Sequence, residues 1–281
     1  MAGLQSRPMT KFPHHSDYPP SITRLAEAAL LTVWSSLSRY HGDLVLVGGL
    51  AVRLLSSESR DGLPSPVTGD VDLGITLGAS GGQYGTITSD LQGQGFRFSE
   101  GRFACVFDGL TVYVDFLTEH PTAGKGSVMV DDMPVSVFLG IDRALALTRR
   151  VPLEGSDFFG AKQCFEIPVA EIGPLLILKL LAFASRQQPK DAYDILYATL
   201  NYPGGPRDAV AGFRDEEKQR NRGYPIARGS LENFFRLPDH SAPARAASFV
   251  MGPIQDTEDY RTRHRQVAED LVTVGRALLG E

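Results

Sequence analysis

Three aspartates set the chemical expectation for this chain. Asp70 and Asp72 are one residue apart in Thr68-Gly69-Asp70-Val71-Asp72-Leu73, a strand-forming run. Side chains alternate along a strand, so both carboxylates point to one face. Like charges so placed repel unless a cation lies between them, and a divalent metal carrying a bound phosphate supplies one. Asp115 interrupts the otherwise apolar run Val112-Tyr113-Val114-Asp115-Phe116-Leu117. A buried carboxylate needs a metal or an ionic partner. An arginine partner for Asp115, and an exposed strand start for Asp70 and Asp72, are the structural alternatives. Three acids on two strands of one sheet suit two Mg²⁺ (or Mn²⁺) ions roughly 3.5–4 Å apart, the spacing used for in-line phosphoryl transfer.

These acids need a scaffold and a phosphate cradle. Leu44-Val45-Leu46-Val47 reads as a buried strand, Gly48-Gly49 as a tight turn, and Leu50 onward as a helix start. A turn without side chains lets NTP phosphates reach backbone N–H groups. The alternatives are a purely structural turn and a dinucleotide fingerprint. The second lacks its third glycine, because Arg53 stands there. A calcium loop starting at Asp70 fails at its twelfth position, which is Gly81. Thr68 is either a phosphate contact or a β-former. Lys179 lies within the apolar run Leu175 to Phe183, and Arg186 is seven residues on, so both share a helix face. That face is either solvated or binds triphosphate, with lysine acting as a point charge. Lys190, Asp191 and Asp194 open the next helix after Pro189, where first-turn acids also favour the helix dipole.

The Gly-Gly turn, the Asp-x-Asp pair and the later Asp together resemble the nucleotidyltransferase superfold. The run from Leu178 to Leu196 extends the likeness to the AbiEii-like (MenT-like) nucleotidyltransferase toxins, over roughly residues 40–200. The resemblance implies transfer of an NMP from an NTP to RNA, such as a tRNA 3′ end, and a cognate antitoxin. It assigns Lys179, Arg186 and Lys190 to the triphosphate. It also makes Asp191, ahead of Asp194, the acid that orients the basic group. Toxins of this kind often carry Arg-x-Thr-x-Asp-x-Asp, and here Pro66 replaces that arginine. Arg60 substitutes for it only if the loop folds back. Two other functions share the superfold: small-molecule transfer of the aminoglycoside type, and nucleotide binding without catalysis, whose mark is the loss of one acid.

Composition is that of an ordinary soluble protein, with 42% hydrophobic and 22% charged residues and no apolar run long enough for a membrane span. Residues 1–139 hold 9 Lys/Arg against 14 Asp/Glu, whereas residues 140–281 hold 19 of each. The excess acidity therefore lies with the candidate metal ligands, and no strongly basic nucleic-acid footprint exists. The cluster Arg261, Arg263, His264 and Arg265 is either a solvated face or an RNA-backbone contact. Two distant cysteines, Cys105 and Cys164, fit neither a zinc site nor a disulfide framework, and a reducing cytoplasm is the expected compartment.

The expected fold is an α/β (α+β) nucleotidyltransferase-like domain with a mixed sheet over 21–168. A loose arm precedes it over 1–20, and a mostly helical domain follows over 169–281. Helices are expected over 22–40, 50–56, 84–94, 140–148, 170–186 and 190–200, with helical periodicity across most of 207–280. Strands are expected over 43–47, 70–76, 96–98, 102–107, 110–117, 135–138 and 164–168, with a loop over 118–133.

Overall fold

A computed structural model describes residues 12–59, 62–79 and 86–281. Its centre is strand β1 (Leu44–Val47), buried at every position. On one side β1 pairs antiparallel with β2 (Asp70–Ile75). On the other it pairs parallel with β9 (Lys162–Ala170). A strand flanked on both sides and covered on both faces must be apolar throughout, which is why Leu-Val-Leu-Val sits here.

Beyond β2 the sheet continues through β5 (Leu110–Thr118), β4 (Arg102–Phe107) and β3 (Arg97–Ser99). Beyond β9 it ends in β8 (Thr148–Ser156). A hairpin of β6 (Ser127–Val130) and β7 (Met133–Val137) joins β5 through a parallel pairing. The sheet is mixed, as expected. Strands β6 and β8 were not anticipated. Ser127–Val130 lay within the expected loop, and Thr148–Ser156 is a polar edge strand whose side chains give little burial signal.

Helix α1 (Ile22–Ser36) stops short of the expected end. A 3₁₀ stretch over Ser38–Asp43 leads from it into β1. Helix α2 (Gly48–Leu55) begins at the glycines themselves rather than after them. Helix α3 (Ile87–Gly93) is shorter than expected, and positions 84–85 lie outside the described residues. Helix α4 (Ile141–Ala146) follows β7, its N-terminal amides capped by Glu119, which accepts from Gly140 N and Asp142 N.

From Ile172 onward every regular element is a helix: α5 (Ile172–Arg186), α6 (Pro189–Leu200), α7 (Pro206–Lys218), α8 (Tyr224–Phe234), α9 (Ser241–Met251) and α10 (Glu258–Leu279). The last strand ends at Ala170 and the run of helices begins at Ile172. One hydrophobic core is shared by the sheet, α1, α2 and the later helices. No helix among the described residues is long and apolar enough to cross a membrane.

The N-terminal segment differs from the expected arm. Phe12 packs on the core, Tyr18 is 8% exposed, and His14 and His15 bond to the carbonyls of Ser248 and Ser65. Residues 12–18 thus tie α9 to the loop before β2. The rest of the expected arm, 1–11, lies outside the described residues.

Candidate active site

The parallel pairing of β2 with β5 brings the three acids together. Asp72 lies opposite Asp115 and Asp70 opposite Tyr113. Val71, Leu73 and Ile75 of β2, and Val112 and Val114 of β5, fill the core. The period of two therefore leaves Asp70, Asp72 and Asp115 on the partly open face. They line a cleft of about 380 Å³ that is also bounded by Gly48, Gly49, Thr68, Lys179, Arg186, Lys190 and Asp191. Ten residues singled out in the sequence thus share one space, with Asp194 outside its lining.

Gly48 is the point of closest approach. Its φ is +73°, a conformation glycine adopts without strain, and a Cβ there would lie 1.8 Å from Asp72 Oδ2. Next to it, a Cβ on Gly49 would meet the Thr68 side chain at 2.9 Å and Lys190 Nζ at 3.1 Å. The bare backbone at the start of α2 therefore faces acids on one side and a lysine on the other. Thr68 sets the entry to β2: its backbone N donates to Thr23 Oγ1, and its own Oγ1 accepts from Asp70 N. That hydroxyl holds backbone rather than standing free.

The basic wall comes from α5 and α6. Gln187, with φ +46°, ends α5, and Pro189 begins α6 at once, so α6 folds back beside α5. Lys179 Nζ and Lys190 Nζ both donate to Asp194 Oδ2 at 2.6 Å. Both lysines and Asp194 are buried, which removes the solvated-stripe reading for Lys179. Arg186 takes a different partner, donating through Nε and Nη2 to the two oxygens of Asp191 at 2.6 and 2.7 Å. Each acid of α6 therefore orients a separate part of the basic wall. Asp194, ranked second from sequence, holds the two lysines.

Three contributors escaped the sequence reading. Tyr18 enters the cleft from the N-terminal segment, and its hydroxyl pKa is pushed up by burial and by the charges of Asp194 and Asp70. Glu100 lines the cleft from the β3–β4 turn. Arg102, the first residue of β4, donates Nε to Asp115 Oδ1 at 2.9 Å and Nη2 to Asp115 Oδ2 at 2.5 Å. The same Nη2 reaches Asp70 Oδ1 at 3.2 Å. Its guanidinium stacks over Tyr113, 3.9 Å from the ring centroid. Nothing at sequence level joins Arg102 to Asp115, because the β4–β5 hairpin makes that contact. Arg60, the substitute considered for the missing motif arginine, lies outside the described residues.

The arginine-partner alternative for Asp115 is therefore the observed pairing. Among the described residues, no three His, Cys, Asp or Glu side chains are spaced to hold a metal ion. Arg102 stands between Asp70 and Asp115. The donor set still fits a divalent metal. Carboxylate oxygens are hard ligands, the three acids share a face, and the guanidinium is a stand-in cation between Asp70 and Asp115. Burial, and then the charge of Asp72, raise the Asp115 carboxyl from 3.8 to about 7 despite Arg102. One guanidinium does not offset three acids.

A mixed sheet carrying this acid face beside a backbone cradle and a lysine-bearing wall is the architecture of a nucleotidyltransferase, an enzyme that uses an NTP. Comparison with known proteins narrows the class. The chain belongs to the AbiEii nucleotidyl transferase toxin family of type IV toxin–antitoxin systems, whose model matches residues 29–273. Membership implies an antitoxin partner. No curated protein matches the chain. Among solved structures, a chain of the E. coli MS115-1 CdnC:HORMA-deltaN complex aligns at 10% identity over 95% of this chain and 91% of that chain, with a TM-score of 0.22. No argument rests on that alignment.

Proposed function

We propose that the protein is a metal-dependent toxin that transfers an NMP from an NTP to an RNA acceptor, such as a tRNA 3′ end, inside the cytoplasm. The observation that carries this reading is the in-register pairing of Asp72 with Asp115, with Asp70 on the same face and the Gly48-Gly49 backbone against them. Asp70, Asp72 and Asp115 would hold the metal, Mg²⁺ or Mn²⁺. When bound, a divalent ion lowers the pKa of an acceptor hydroxyl and polarises the α-phosphate.

The chain's own groups supply the rest. The amides that open α2 receive phosphate oxygens, because the first N–H groups of a helix lack internal partners. Lys179, Lys190 and Arg186 offset the charge of the leaving pyrophosphate, and their carboxylate partners keep them aimed at it. Asp115 would also take up the acceptor's proton. Lys179, Arg186 and Lys190 come from α5 and α6, so the catalytic unit extends past residue 168 into the helical part.

The RNA acceptor rests on the toxin family, not on a basic surface. Arg261 is paired with Asp256 and Glu258, which favours the solvated-face reading of the C-terminal cluster. The test incubates each labelled NTP and Mg²⁺ or Mn²⁺ with total RNA, total protein or aminoglycosides. Labelled tRNA is the expected product. A labelled drug or protein with unlabelled RNA overturns the acceptor assignment. Asp70→Asn and Asp72→Asn are expected to stay folded and lose transfer, and full activity in either refutes the acid assignment.

A further inference from the structure

The two oxygens of Asp115 are both engaged by Arg102, and one of its nitrogens also bridges to Asp70. The guanidinium fork uses one lone-pair site on each Asp115 oxygen and fills the space between Asp115 and Asp70, so an ion cannot take that position while the fork is in place. We propose that Arg102 is a built-in placeholder cation: it holds the acid trio together before metal loading, and the divalent ion must displace it. The inference rests on the metal-dependent reading above.

Three features suit Arg102 to that role. It supplies one positive charge where three carboxylates share a face, so it steadies them without neutralising them. A divalent ion carries twice the charge and prefers oxygen ligands, so it has reason to replace the guanidinium. The Arg102 side chain is 33% exposed, so it has an open side toward which to move. Its stacking on Tyr113 shares the cleft-facing side of β5 with Asp115, which gives the displaced side chain a surface to stay on. In this scheme Arg102 weakens metal binding while preserving the geometry that metal binding needs.

The experiment measures Mn²⁺ affinity of the full chain, without nucleotide, by electron paramagnetic resonance and calorimetry. Wild type, Arg102→Gln and Arg102→Lys are compared, and thermal melts are run in EDTA and in Mn²⁺. With the fork removed, Arg102→Gln is expected to bind Mn²⁺ about tenfold tighter than wild type. It is also expected to melt earlier than wild type in EDTA and to gain more from Mn²⁺. Arg102→Lys keeps the charge but loses the fork, and is expected to fall between the two. Should Arg102→Gln fail to fold without metal, Arg102→Lys carries the comparison. Equal or weaker Mn²⁺ binding by the folded variants overturns the placeholder role while leaving a metal-binding site in place. Absence of Mn²⁺ binding in wild type and both variants overturns the metal reading itself, and this inference with it.

Discussion

Replacing Gly48 by alanine puts a methyl group where Asp72 keeps its carboxylate. The added Cβ would sit 1.8 Å from Oδ2, 2.5 Å from Cγ and 2.7 Å from Cβ of Asp72. No small shift relieves three contacts of that kind, so Asp72 must rotate away or α2 must move off β2. A second cost comes from the backbone, because φ at Gly48 is +73°. A left-handed non-glycine residue costs about 1–2 kcal/mol. Gly109, in the β4–β5 turn, separates the two costs. Its φ is +77°, and an added Cβ meets nothing within 4 Å. Gly109→Ala is therefore expected to lose only the backbone share. Gly48→Ala should lose roughly 1–3 kcal/mol more, the usual range for overpacking a tight contact. Urea unfolding of both variants measures the difference. Transfer activity gives an independent readout: Gly109→Ala should retain it, whereas Gly48→Ala should lose it because Asp72 leaves its place opposite Asp115. Equal stabilities for the two variants, or wild-type transfer by Gly48→Ala, would refute the reasoning.

Asp194→Ala leaves two buried lysines without their carboxylate and is expected to cost about 3–5 kcal/mol in urea unfolding. Asp191→Ala should cost less, because Arg186 keeps a side chain 43% exposed to water. Stability should also follow the Asp115 carboxyl, raised from 3.8 to about 7 first by burial and then by Asp72. Between those values the folded state binds more protons than the unfolded one, so this group makes the protein less stable as pH rises from about 4 to about 7. The ceiling is about 4 kcal/mol, and roughly half is expected because the side chain is 27% exposed. Unfolding curves at pH 4 and pH 8 should show this loss in wild type but not in Asp115→Asn, and identical pH slopes would exclude it.

Much of the site is local enough to read directly. A period of two places Asp70 and Asp72 on one strand face whatever the rest of the chain does, and a Gly-Gly pair between an apolar strand and a helix marks a bare turn. The family likeness joined those pieces to Lys179, Arg186, Lys190 and Asp191. Element boundaries were less legible. Strands β6 and β8 have polar or exposed faces, so their hydrophobic patterns are weak.

The partners of the charged groups depended on contacts distant in sequence or on the choice among neighbours. The β2–β5 register sets Asp72 against Asp115, and a hairpin delivers Arg102 to Asp115. The turn at Gln187 brings Lys179 back to Asp194. The packing of residues 12–18 sends Tyr18 into the cleft from a stretch that reads as a loose arm. Alternation and turn chemistry act over a few residues and are written in the chain. Which acid meets which cation depends on how the strands align and where the helices cross, and only the folded molecule brings those groups within reach of each other.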